Sequence, residues 1–394
     1  MRLAIVTETF PPEINGVALT VRGLAAGAVE LGHTVEVLRP RRDDPTGEGH
    51  GPWSDLVLPS LPLPRYPGLR LGLPARWRIQ RHWAAQRPDA VYVATEGPLG
   101  WSAVSAARAL NIAVASGYHT RFDHYVVHYG HGWLRGTAQA WLRRFHNRCD
   151  GTIVPTQRLQ QDLQADGYRH VHRLPRGVDT ERFHSRWRDP ELRARWGAGP
   201  GDLVVLHVGR LAPEKNLALV QRSFAAIRQQ RPQAKLVWVG DGPARAALQQ
   251  GADGAVHFAG IQTGDDLARH YASADLFLFP SLTDTFGNVV LEALASGVPV
   301  VAFDDGAAAE HLRDAHAGRL AAFADETAFI DAAVALATDP EALAQASVTA
   351  HRRMQVHGLG GVASAYVELL QEIASQRAKP APTLSAHKAE GGRA

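Results

Sequence analysis

Short runs of aliphatic and β-branched residues alternate with longer helical patterns along most of the chain. Within each run the apolar residues follow one another almost without alternation, which is typical of parallel strands covered on both faces. The runs lie at 2–7, 34–38, 90–94, 112–116, 203–209, 235–240, 276–280 and 298–302, and the helical stretches between them include 98–110, 216–230 and 287–296. This alternation predicts an α/β fold with parallel sheets and right-handed crossovers.

The series of strands and helices is interrupted once and then begins again. Residues 184–202 hold several Arg, Gly and Pro without a strand-like run, and the next run starts at residue 203. A chain of 394 residues is long enough for two domains. We therefore predict two Rossmann-like, doubly wound domains facing a central cleft, over residues 1–178 and 179–357. A ligand is expected in that cleft, outside the carboxyl ends of the strands.

Two segments differ in composition from the rest of the chain. Residues 41–75 contain many Pro, Gly and Arg, and residues 377–394 are polar and small. Pro and Gly interrupt regular structure, and small polar termini are poorly ordered. We expect little regular structure in the first segment and a disordered tail in the second.

Composition narrows the class of protein. The chain is 45% hydrophobic and 21% charged, which excludes a disordered protein. The single cysteine, Cys149, excludes an internal disulfide framework and a Cys-rich metal site. No apolar run approaches the roughly 18 residues of a membrane-spanning helix, and the first run is too short for a secretory signal. We expect a cytoplasmic protein.

The basic residues are concentrated in the first half of the chain. The first 178 residues hold 21 Arg, no Lys and 14 acidic residues, for a net charge of +7, whereas the remainder carries −4. A basic half favours anionic surroundings such as phospholipid headgroups, nucleic acid or an acidic substrate. A genome that favours Arg would produce the same excess, because the whole chain has only four Lys.

Several motifs of nucleotide-binding proteins are absent from the sequence. No GxGxxG follows the first predicted strand, and neither GxxxxGK nor a D-x-D pair occurs in the chain. This pattern disfavours a dinucleotide oxidoreductase and a P-loop enzyme. Protein groups, and not a metal ion, are expected to neutralise any bound phosphate.

Two loops that follow predicted strands carry candidate phosphate-binding groups. In residues 9–20, Gly16 lies near a helix start, where backbone N–H groups can face an anion. In residues 209–216, Arg210 and Lys215 flank a Pro-containing turn and could clamp a diphosphate. The alternatives are a turn that happens to need Gly and a solvated charged loop.

Residues 278–302 form the most informative segment. A strand ends at Pro280, and Thr283 or Asp284 can cap a helix that begins a few residues later. A glycine at this helix start leaves room for close approach of a phosphate to backbone N–H groups. The groups concerned belong to Phe286, Gly287 and Asn288.

The same segment supplies two carboxylates. Asp284 precedes the helix, and Glu292 lies inside it within the apolar run VVLEALA. Carboxylates in these positions can accept hydrogen bonds from sugar and ribose hydroxyls. The alternative is that Asp284 only caps the helix and Glu292 only pairs with an Arg, although an unpaired buried charge would be costly.

Histidines follow another predicted strand. His119, in GYHTRF, could contact a reacting sugar, or it could be a structural loop residue. Together with His119, three further histidines raise the alternative of a zinc site: His124 and His128, which are four residues apart, and His131. There is no HExxH pattern and nothing fixes a third ligand, so we expect no metal. RGVDTERF, at 176–183, lies where the domains join, and a hinge turn is favoured there over the alternative of a contact role.

In its sequence blocks and in their order, the chain resembles the family 4 retaining glycosyltransferases. The blocks are GYHTRF and RGVDTERF, together with TETFPPEINGVA, VGRLAPEKN, VGDGPAR and LTDTFGNVVLEALASGVPVV. The resemblance runs from residue 1 to about 375. It is strongest to the GDP-mannose-dependent α-mannosyltransferases and the sulfoquinovosyl- and glucosyl-diacylglycerol synthases. It implies the GT-B fold, with the acceptor mainly in the first domain and the nucleotide-sugar mainly in the second. It also implies that a final helix, over residues 358–376, crosses back onto the first domain.

The resemblance assigns roles to the candidate residues around the diphosphate. Arg210 and Lys215 would hold the diphosphate, and Gly16 would close on it from the first domain. The backbone of the second domain would share that task, through Phe286, Gly287 and Asn288. No cofactor is implied beyond the nucleotide-sugar co-substrate, and no metal.

Three residues would contact the sugar and the ribose. Glu292 would hold the ribose, and His119 would contact the transferred sugar near its 6-position. The carboxylate at the 3- and 4-hydroxyls is usually Glu in this family, and here it is Asp284. The shorter side chain leaves the identity of the sugar open, but not the class of reaction.

The predicted function is transfer of a hexose, with retention, to a hydroxyl acceptor that is a lipid or a glycan. The expected donor is GDP-mannose, or otherwise a UDP-sugar. The alternatives are a nucleotide-sugar epimerase of the same fold and a non-catalytic nucleotide-sugar-binding protein; no nucleic acid partner is expected. Because residues 62–83 combine Pro, Arg and Trp, we expect peripheral contact with an anionic membrane surface on the inner face of the cell membrane.

Overall fold

The computed structural model describes residues 1–13, 15–42, 51–62, 70–119, 135–313 and 316–378. The strands are β1 (Arg2–Val6), β2 (Thr34–Pro40), β3 (Ser54–Leu58), β4 (Ser60–Pro62), β5 (Arg70–Gly72), β6 (Ala90–Val93), β7 (Ala113–Gly117), β8 (Gly151–Val154), β9 (Val171–Arg173), β10 (Val204–Val208), β11 (Lys235–Val239), β12 (Val256–Gly260), β13 (Leu276–Phe279), β14 (Val300–Phe303) and β15 (Gly318–Ala321).

The helices alternate with these strands. They are α1 (Gly16–Glu30), α2 (Arg76–Ala85), α3 (Pro98–Ala109), α4 (Arg135–His146), α5 (Gln157–Ala165), α6 (Pro190–Arg195), α7 (Leu217–Gln230), α8 (Arg245–Gln250), α9 (Gly264–Ala272), α10 (Asn288–Ala295), α11 (Gly306–Leu312), α12 (Glu326–Thr338), α13 (Pro340–Met354) and α14 (Leu359–Ala378). Two 3₁₀ helices lie at Ser185–Trp187 and Pro213–Lys215.

The first domain is built on a seven-stranded parallel sheet in the order β3-β2-β1-β6-β7-β8-β9. Helices cover both faces of its central strands, so those strands are apolar on both sides. On one face, Trp83 of α2 and Phe145 of α4 are fully buried with α3 against the sheet. On the other, α1 packs with α14, whose Tyr366 and Leu370 are also fully buried.

The second domain is built on a six-stranded parallel sheet in the order β12-β11-β10-β13-β14-β15. Helices α7 and α12 cover one face, and α9, α10 and α11 cover the other. The predicted pair of doubly wound parallel sheets is therefore confirmed.

The chain passes between the domains twice, and the two passages lie side by side. The N–H of Val178, on the first passage, donates to the carbonyl of His357, on the second, at 3.0 Å. Val178 also forms an isolated parallel bridge with Gly358. Immediately afterwards α14 returns to the first domain and packs against α1. The C-terminal helix is therefore part of the first domain's core.

The segment 41–75, where we expected little regular structure, contains three short strands in its described part. Within it, β3 pairs in parallel with β2 and β4 pairs with β5. The short β3 adds an edge to the sheet without a long apolar run, because most of it is not buried. The predicted disordered tail lies outside the described residues, apart from the last two residues of α14.

The two sheets face each other with the carboxyl ends of their strands. After β1, the carbonyl of Gly16 accepts a hydrogen bond from Asn288 Nδ2, at the start of α10, at 3.4 Å. After β8, the N–H of Gln157 donates to Glu310 in α11 at 2.5 Å. The space between these two contacts is the interdomain cleft. Among the described residues, no helix has both the length and the apolar character to cross a bilayer.

Candidate active site in the interdomain cleft

The candidate site residues of the second domain lie where the strand order of its sheet reverses. Strands β10 and β13 are neighbours, and the chain continues from them to opposite edges of the sheet. Such a switch point leaves a crevice at the carboxyl ends of the two strands, and ligands of open α/β sheets bind there. The loops that border this crevice are 209–216 and 280–287, and both lie within segments that the sequence analysis identified as candidate binding loops.

Lys215 and Asp284 meet in this crevice. Lys215 ends the 3₁₀ helix Pro213–Lys215, and the next residue, Asn216, adopts a left-handed conformation with φ 54° before α7 begins. Lys215 Nζ donates to both carboxylate oxygens of Asp284, at 2.8 and 2.7 Å. The side chains are 17% and 26% exposed, so the pair is accessible from the cleft.

Arg210 lies on the same loop and pairs with a buried acid. Its guanidinium donates to the carboxylate of Glu214, which is 3% exposed, whereas the Arg210 side chain is 47% exposed. The carbonyl of Glu214 also accepts a hydrogen bond from the hydroxyl of Thr283, at 3.5 Å. These contacts tie the two loops together beneath the exposed face of Arg210.

Helix α10 begins differently from our expectation. Gly287, not Thr283 or Asp284, occupies the N-cap position, and no side chain caps the helix. Asp284 lies three residues before this N-cap, and its carboxylate binds Lys215. Gly287 has φ +89°, and a Cβ there would lie 2.9 Å from the ring of Phe279, so glycine is needed for both reasons. The start of α10 therefore offers backbone N–H groups to an anion.

Phe286 fixes this loop from behind. Its side chain is 7% exposed, and its carbonyl accepts a hydrogen bond from the N–H of Ala307, in α11, at 2.7 Å. Across the cleft, Asn288 Nδ2 also donates to the hydroxyl of Thr20 at 3.4 Å, beside its contact with Gly16. The structure thus brings together the predicted residues Gly16 and Asn288 from the two domains.

Glu292 projects from α10 toward α9. The hydroxyl of Tyr271, a fully buried residue, donates to Glu292 Oε2 at 2.9 Å. Burial raises the pKa of Glu292 to about 7, although the Tyr271 hydrogen bond lowers it. Glu292 is therefore a carboxyl group that is both hydrogen-bonded and close to titrating at neutral pH. Among the described residues it pairs with no Arg, which was the alternative considered from the sequence.

His119 lies on the opposite wall of the cleft, after β7, and both ring nitrogens are occupied. Arg176 Nη2 donates to Nδ1 at 2.5 Å, and Nε2 lies 2.7 Å from the Tyr92 hydroxyl. Because guanidinium only donates, Nδ1 accepts and Nε2 carries the proton. Burial, with the charge of Arg176 and then His146, holds the pKa of His119 well below its usual range. His119 is therefore neutral.

Arg176 and Glu8 are cleft residues that the sequence analysis missed. For residues 176–183 we preferred a hinge turn over a contact role, but Arg176 on this linker does contact His119. Glu8 follows β1, and its Oε1 accepts the N–H of Leu99, at the start of α3, at 3.2 Å. Its position directly after an apolar strand was a usable signal for a cleft residue.

No group of three or more His, Cys, Asp or Glu side chains that could hold a metal ion is found in the described part of the chain. The histidines behind the zinc alternative, His124, His128 and His131, lie outside the described residues. The groups that the structure places at the site are cationic side chains, carboxyl groups and backbone N–H groups.

The chain is similar in sequence to known glycosyltransferases. A family model described as Glycosyltransferase Family 4 matches residues 14–182, and one described as Glycosyl transferases group 1 matches residues 202–339. The GDP-mannose-dependent alpha-mannosyltransferase of Mycobacterium tuberculosis is 37% identical over 311 residues, 78% of this chain and 80% of that protein. The alpha-monoglucosyldiacylglycerol synthase of Streptococcus pneumoniae is 30% identical over 315 residues, 77% of this chain and 71% of that protein.

Among solved structures, the sucrose-phosphate synthase of Thermosynechococcus elongatus superposes with a TM-score of 0.77 at 19% sequence identity. The match covers 95% of this chain and 99% of that one, so it extends across both domains and the cleft. The predicted GT-B fold is confirmed. The two family models together match most of both domains, and a relative 37% identical is covered over 80% of its length. The chain therefore belongs to the family 4 glycosyltransferases.

Proposed function

We propose that this glycosyltransferase moves a hexose from a nucleoside diphosphate to a hydroxyl of a lipid or glycan acceptor, with retention of configuration and without a metal ion. The expected donor is GDP-mannose, which the name of the mycobacterial relative specifies for that protein. The observation that carries the proposal is the convergence of Arg210, Lys215 and the uncapped start of α10 at one switch point. A diphosphate there meets two cations and a helix N-terminus.

These groups lie where charge develops during the reaction. As the bond between the anomeric carbon and the phosphate oxygen breaks, negative charge accumulates on the leaving phosphate. Arg210, Lys215 and the α10 N–H groups lie at this switch point and stabilise that charge. The acceptor hydroxyl attacks the same face of the sugar and forms the new C–O bond, and its proton passes to the leaving phosphate oxygen. The transition state resembles an oxocarbenium ion.

The remaining residues position the donor. Asp284 lies beside Lys215, so a sugar attached to the bound diphosphate has its hydroxyls within reach of that carboxylate. Tyr271 occupies one oxygen of Glu292, and a ribose hydroxyl binds the other. His119 contributes from the first domain: when it contacts the sugar, one of its present partners, Tyr92 or Arg176, gives up its hydrogen bond.

A basic aromatic surface supports the choice of a lipid acceptor. On α2, Trp77 is 76% exposed, the guanidinium of Arg76 lies 5.3 Å from its ring, and Arg78 and Arg81 are exposed beside it. Aromatic rings with Arg bind the headgroup region of anionic bilayers. We propose that this surface holds the enzyme peripherally on the inner face of the cell membrane.

A second aromatic cluster lies on the same side of the first sheet. Trp141 of α4 is 43% exposed and stacks on Trp101 of α3 at 4.7 Å, and the guanidinium of Arg148 lies 4.9 Å from the Trp101 ring. Helices α2, α3 and α4 all cover this face. The membrane-facing surface therefore extends beyond the predicted segment 62–83, in which residues 63–69 lie outside the described part of the chain.

Three measurements test the proposed function. Thermal unfolding with GDP, UDP and ADP, and then with their sugars, identifies the donor, because a ligand at about 100 times its Kd stabilises by about 2.7 kcal/mol. NMR of the transferred sugar reports the anomeric configuration. Full activity in a chelator supports the absence of a metal requirement, and activity that vanishes with the chelator contradicts it. A new nucleotide-sugar isomer formed without acceptor would favour an epimerase instead.

A further inference from the structure

The first domain has a switch point of its own. Strands β1 and β6 are neighbours, with β2 on one side and β7 on the other. The contacts of Gly16 after β1 and of Gln157 after β8 hold the second domain against both ends of this stretch of the sheet. The carboxyl ends of β6 and β7 lie between those contacts, so the loops after β1 and β6 form the wall of the cleft there.

Glu8 occupies this second crevice. Its backbone N–H donates to Thr95 Oγ1, after β6, at 3.0 Å, and its Oε1 accepts the N–H of Leu99 at 3.2 Å. The carboxyl group lies flat against the backbone of Gly97, where a Cβ would come within 2.2 Å of Oε1. Glycine at 97 is therefore what allows the carboxyl group of Glu8 to occupy this position. Glu8 remains partly exposed.

The surrounding charges indicate which chemical group fits beside Glu8. Glu96 and Glu13 lie on the same wall; Glu13 is paired with Arg42, whereas Glu96 lies 3.3 Å from His146 Nε2. Burial raises the pKa of Glu8 to about 7; the Leu99 N–H lowers it, and the charge of Glu96 raises it. A further anion at this point would be repelled, whereas a hydroxyl can donate a hydrogen bond to a carboxyl oxygen.

We propose that Glu8 binds the acceptor, by accepting a hydrogen bond from a hydroxyl of an uncharged glycerol or sugar headgroup at the switch point of the first domain. This inference rests on the proposed transferase function and adds the chemical class of its acceptor. The two switch points then have complementary tasks. The one in the second domain, with its cations, receives the diphosphate of the donor, and the one in the first domain, with its carboxyl groups, receives neutral hydroxyls.

The test compares acceptor and donor kinetics in four single variants and one double variant. The probes are dioleoylglycerol and phosphatidylinositol, each in neutral detergent micelles, with the donor identified by thermal unfolding. Glu8→Ala should raise the KM for dioleoylglycerol by about tenfold or more, while Glu8→Gln, which retains an accepting oxygen, should stay within about threefold of wild type. Donor hydrolysis without acceptor and stabilisation by nucleotide should be unchanged. The matched control is Glu30→Ala, an exposed Glu at the far end of α1.

The fourth variant, Gly97→Ala, displaces the carboxyl group without removing it. It should raise the KM for dioleoylglycerol in the wild-type background and have no further effect in the Glu8→Ala background, since it acts through Glu8. Unfolding temperatures of all variants show whether they are folded, and Glu8→Gln carries the test if Glu8→Ala is not. In that case Gln must retain transfer to dioleoylglycerol while Gly97→Ala impairs it.

Several outcomes would overturn the inference. These are an unchanged KM in folded Glu8→Ala, an equal loss of donor hydrolysis in that variant, transfer by the wild type to phosphatidylinositol alone, or donor hydrolysis with transfer to neither probe. If the wild type neither binds nor hydrolyses any nucleotide-sugar, the proposed function itself fails, which is a distinguishable result because it appears before any acceptor is added.

Discussion

Lys215 and Asp284 form a two-point ion pair at the floor of the cleft although 69 residues separate them in the chain. Lys215 follows β10 and Asp284 follows β13, and these strands are neighbours at the switch point of the second sheet. The cation predicted for the diphosphate thus lies beside the carboxylate predicted for the sugar. Phosphate and sugar are also adjacent in a nucleotide-sugar, so one bound donor can engage both side chains.

Loss of the Lys215 charge should mainly affect the chemical step. Lys215→Ala is expected to lower kcat roughly 10²–10³-fold, by analogy with removal of one oxyanion-hole donor, because the cation stabilises the leaving phosphate. Steady-state rates with saturating donor and acceptor measure this. Lys235→Ala is the matched control, since Lys235 opens β11 at the end of the strand opposite to the cleft. A kcat of Lys215→Ala close to that of the control would contradict the phosphate clamp.

Glu292 should make stability depend on pH. Its pKa is about 7 in the folded protein, against an ordinary value of 4.5. Between these values the unfolded chain releases a proton that the folded protein keeps, so stability falls as pH rises through the window. Glu292→Gln removes this contribution and should gain in unfolding temperature relative to wild type from about pH 4.5 to about pH 7.

The measurement is thermal unfolding of both proteins at several pH values without nucleotide. Glu8 titrates near the same pH, but it is present in both proteins and cancels in the difference. Glu181→Gln, the same substitution at a carboxylate that is 88% exposed, is the control. A Glu292→Gln difference that is flat across the same pH window would show that the carboxyl group is not held neutral in the fold.

The sequence predicted the positions of the candidate donor-site residues better than their contacts. Arg210, Lys215 and Asp284 follow apolar runs, and the carboxyl ends of parallel strands meet at one edge of a sheet. Their hydrogen-bond and ion-pair partners depend on which strands are neighbours in the sheet. The order of strands cannot be predicted from a local sequence pattern. The helix cap shows the limit: Asp284 has the side chain of an N-cap, but the helix begins later, with Gly287 as its N-cap, and Lys215 from the neighbouring loop binds the Asp284 carboxylate.

Arg176 is a cleft residue that could not be identified from its local sequence. Its segment has the composition of a turn, and locally nothing distinguishes a hinge from a cleft residue. Only the fold brings the end of the linker beside β7, where the guanidinium meets His119 across 57 residues of sequence. Glu8, in contrast, could have been selected with the rule that found the donor loops, because it follows the first apolar strand directly.

Arg176 should control the protonation of His119. Arg176→Met removes both the donor to Nδ1 and a positive charge, so the pKa of His119 should rise toward its usual value, although burial still lowers it. The acid limb of the pH profile of kcat/KM should therefore move to higher pH, because a larger fraction of His119 is protonated. Arg176→Lys, which keeps the charge, should restore much of the wild-type profile. Identical profiles for Met and wild type would contradict this positioning role.

The exposed tryptophan of α2 should be needed for binding to anionic membranes. Trp77→Ala should weaken sedimentation with vesicles that contain phosphatidylglycerol. Reversal of the neighbouring charges to Glu at Arg78 and Arg81 should weaken it further, since each basic side chain near such a surface contributes about 1 kcal/mol. Binding of the wild type should fall as salt rises, because the attraction is screened beyond about 10 Å at 0.1 M ionic strength.

A similar residue pair in the second domain provides the control for this surface. Trp187 is 39% exposed, and the guanidinium of Arg186 lies 5.5 Å from its ring, but the pair belongs to the 3₁₀ helix Ser185–Trp187 and not to the α2, α3 and α4 face. Trp187→Ala should leave vesicle binding unchanged. If Trp187→Ala and Trp77→Ala weaken binding equally, or if the wild type binds uncharged phosphatidylcholine vesicles as well as anionic ones, the α2 surface is not the site of membrane contact.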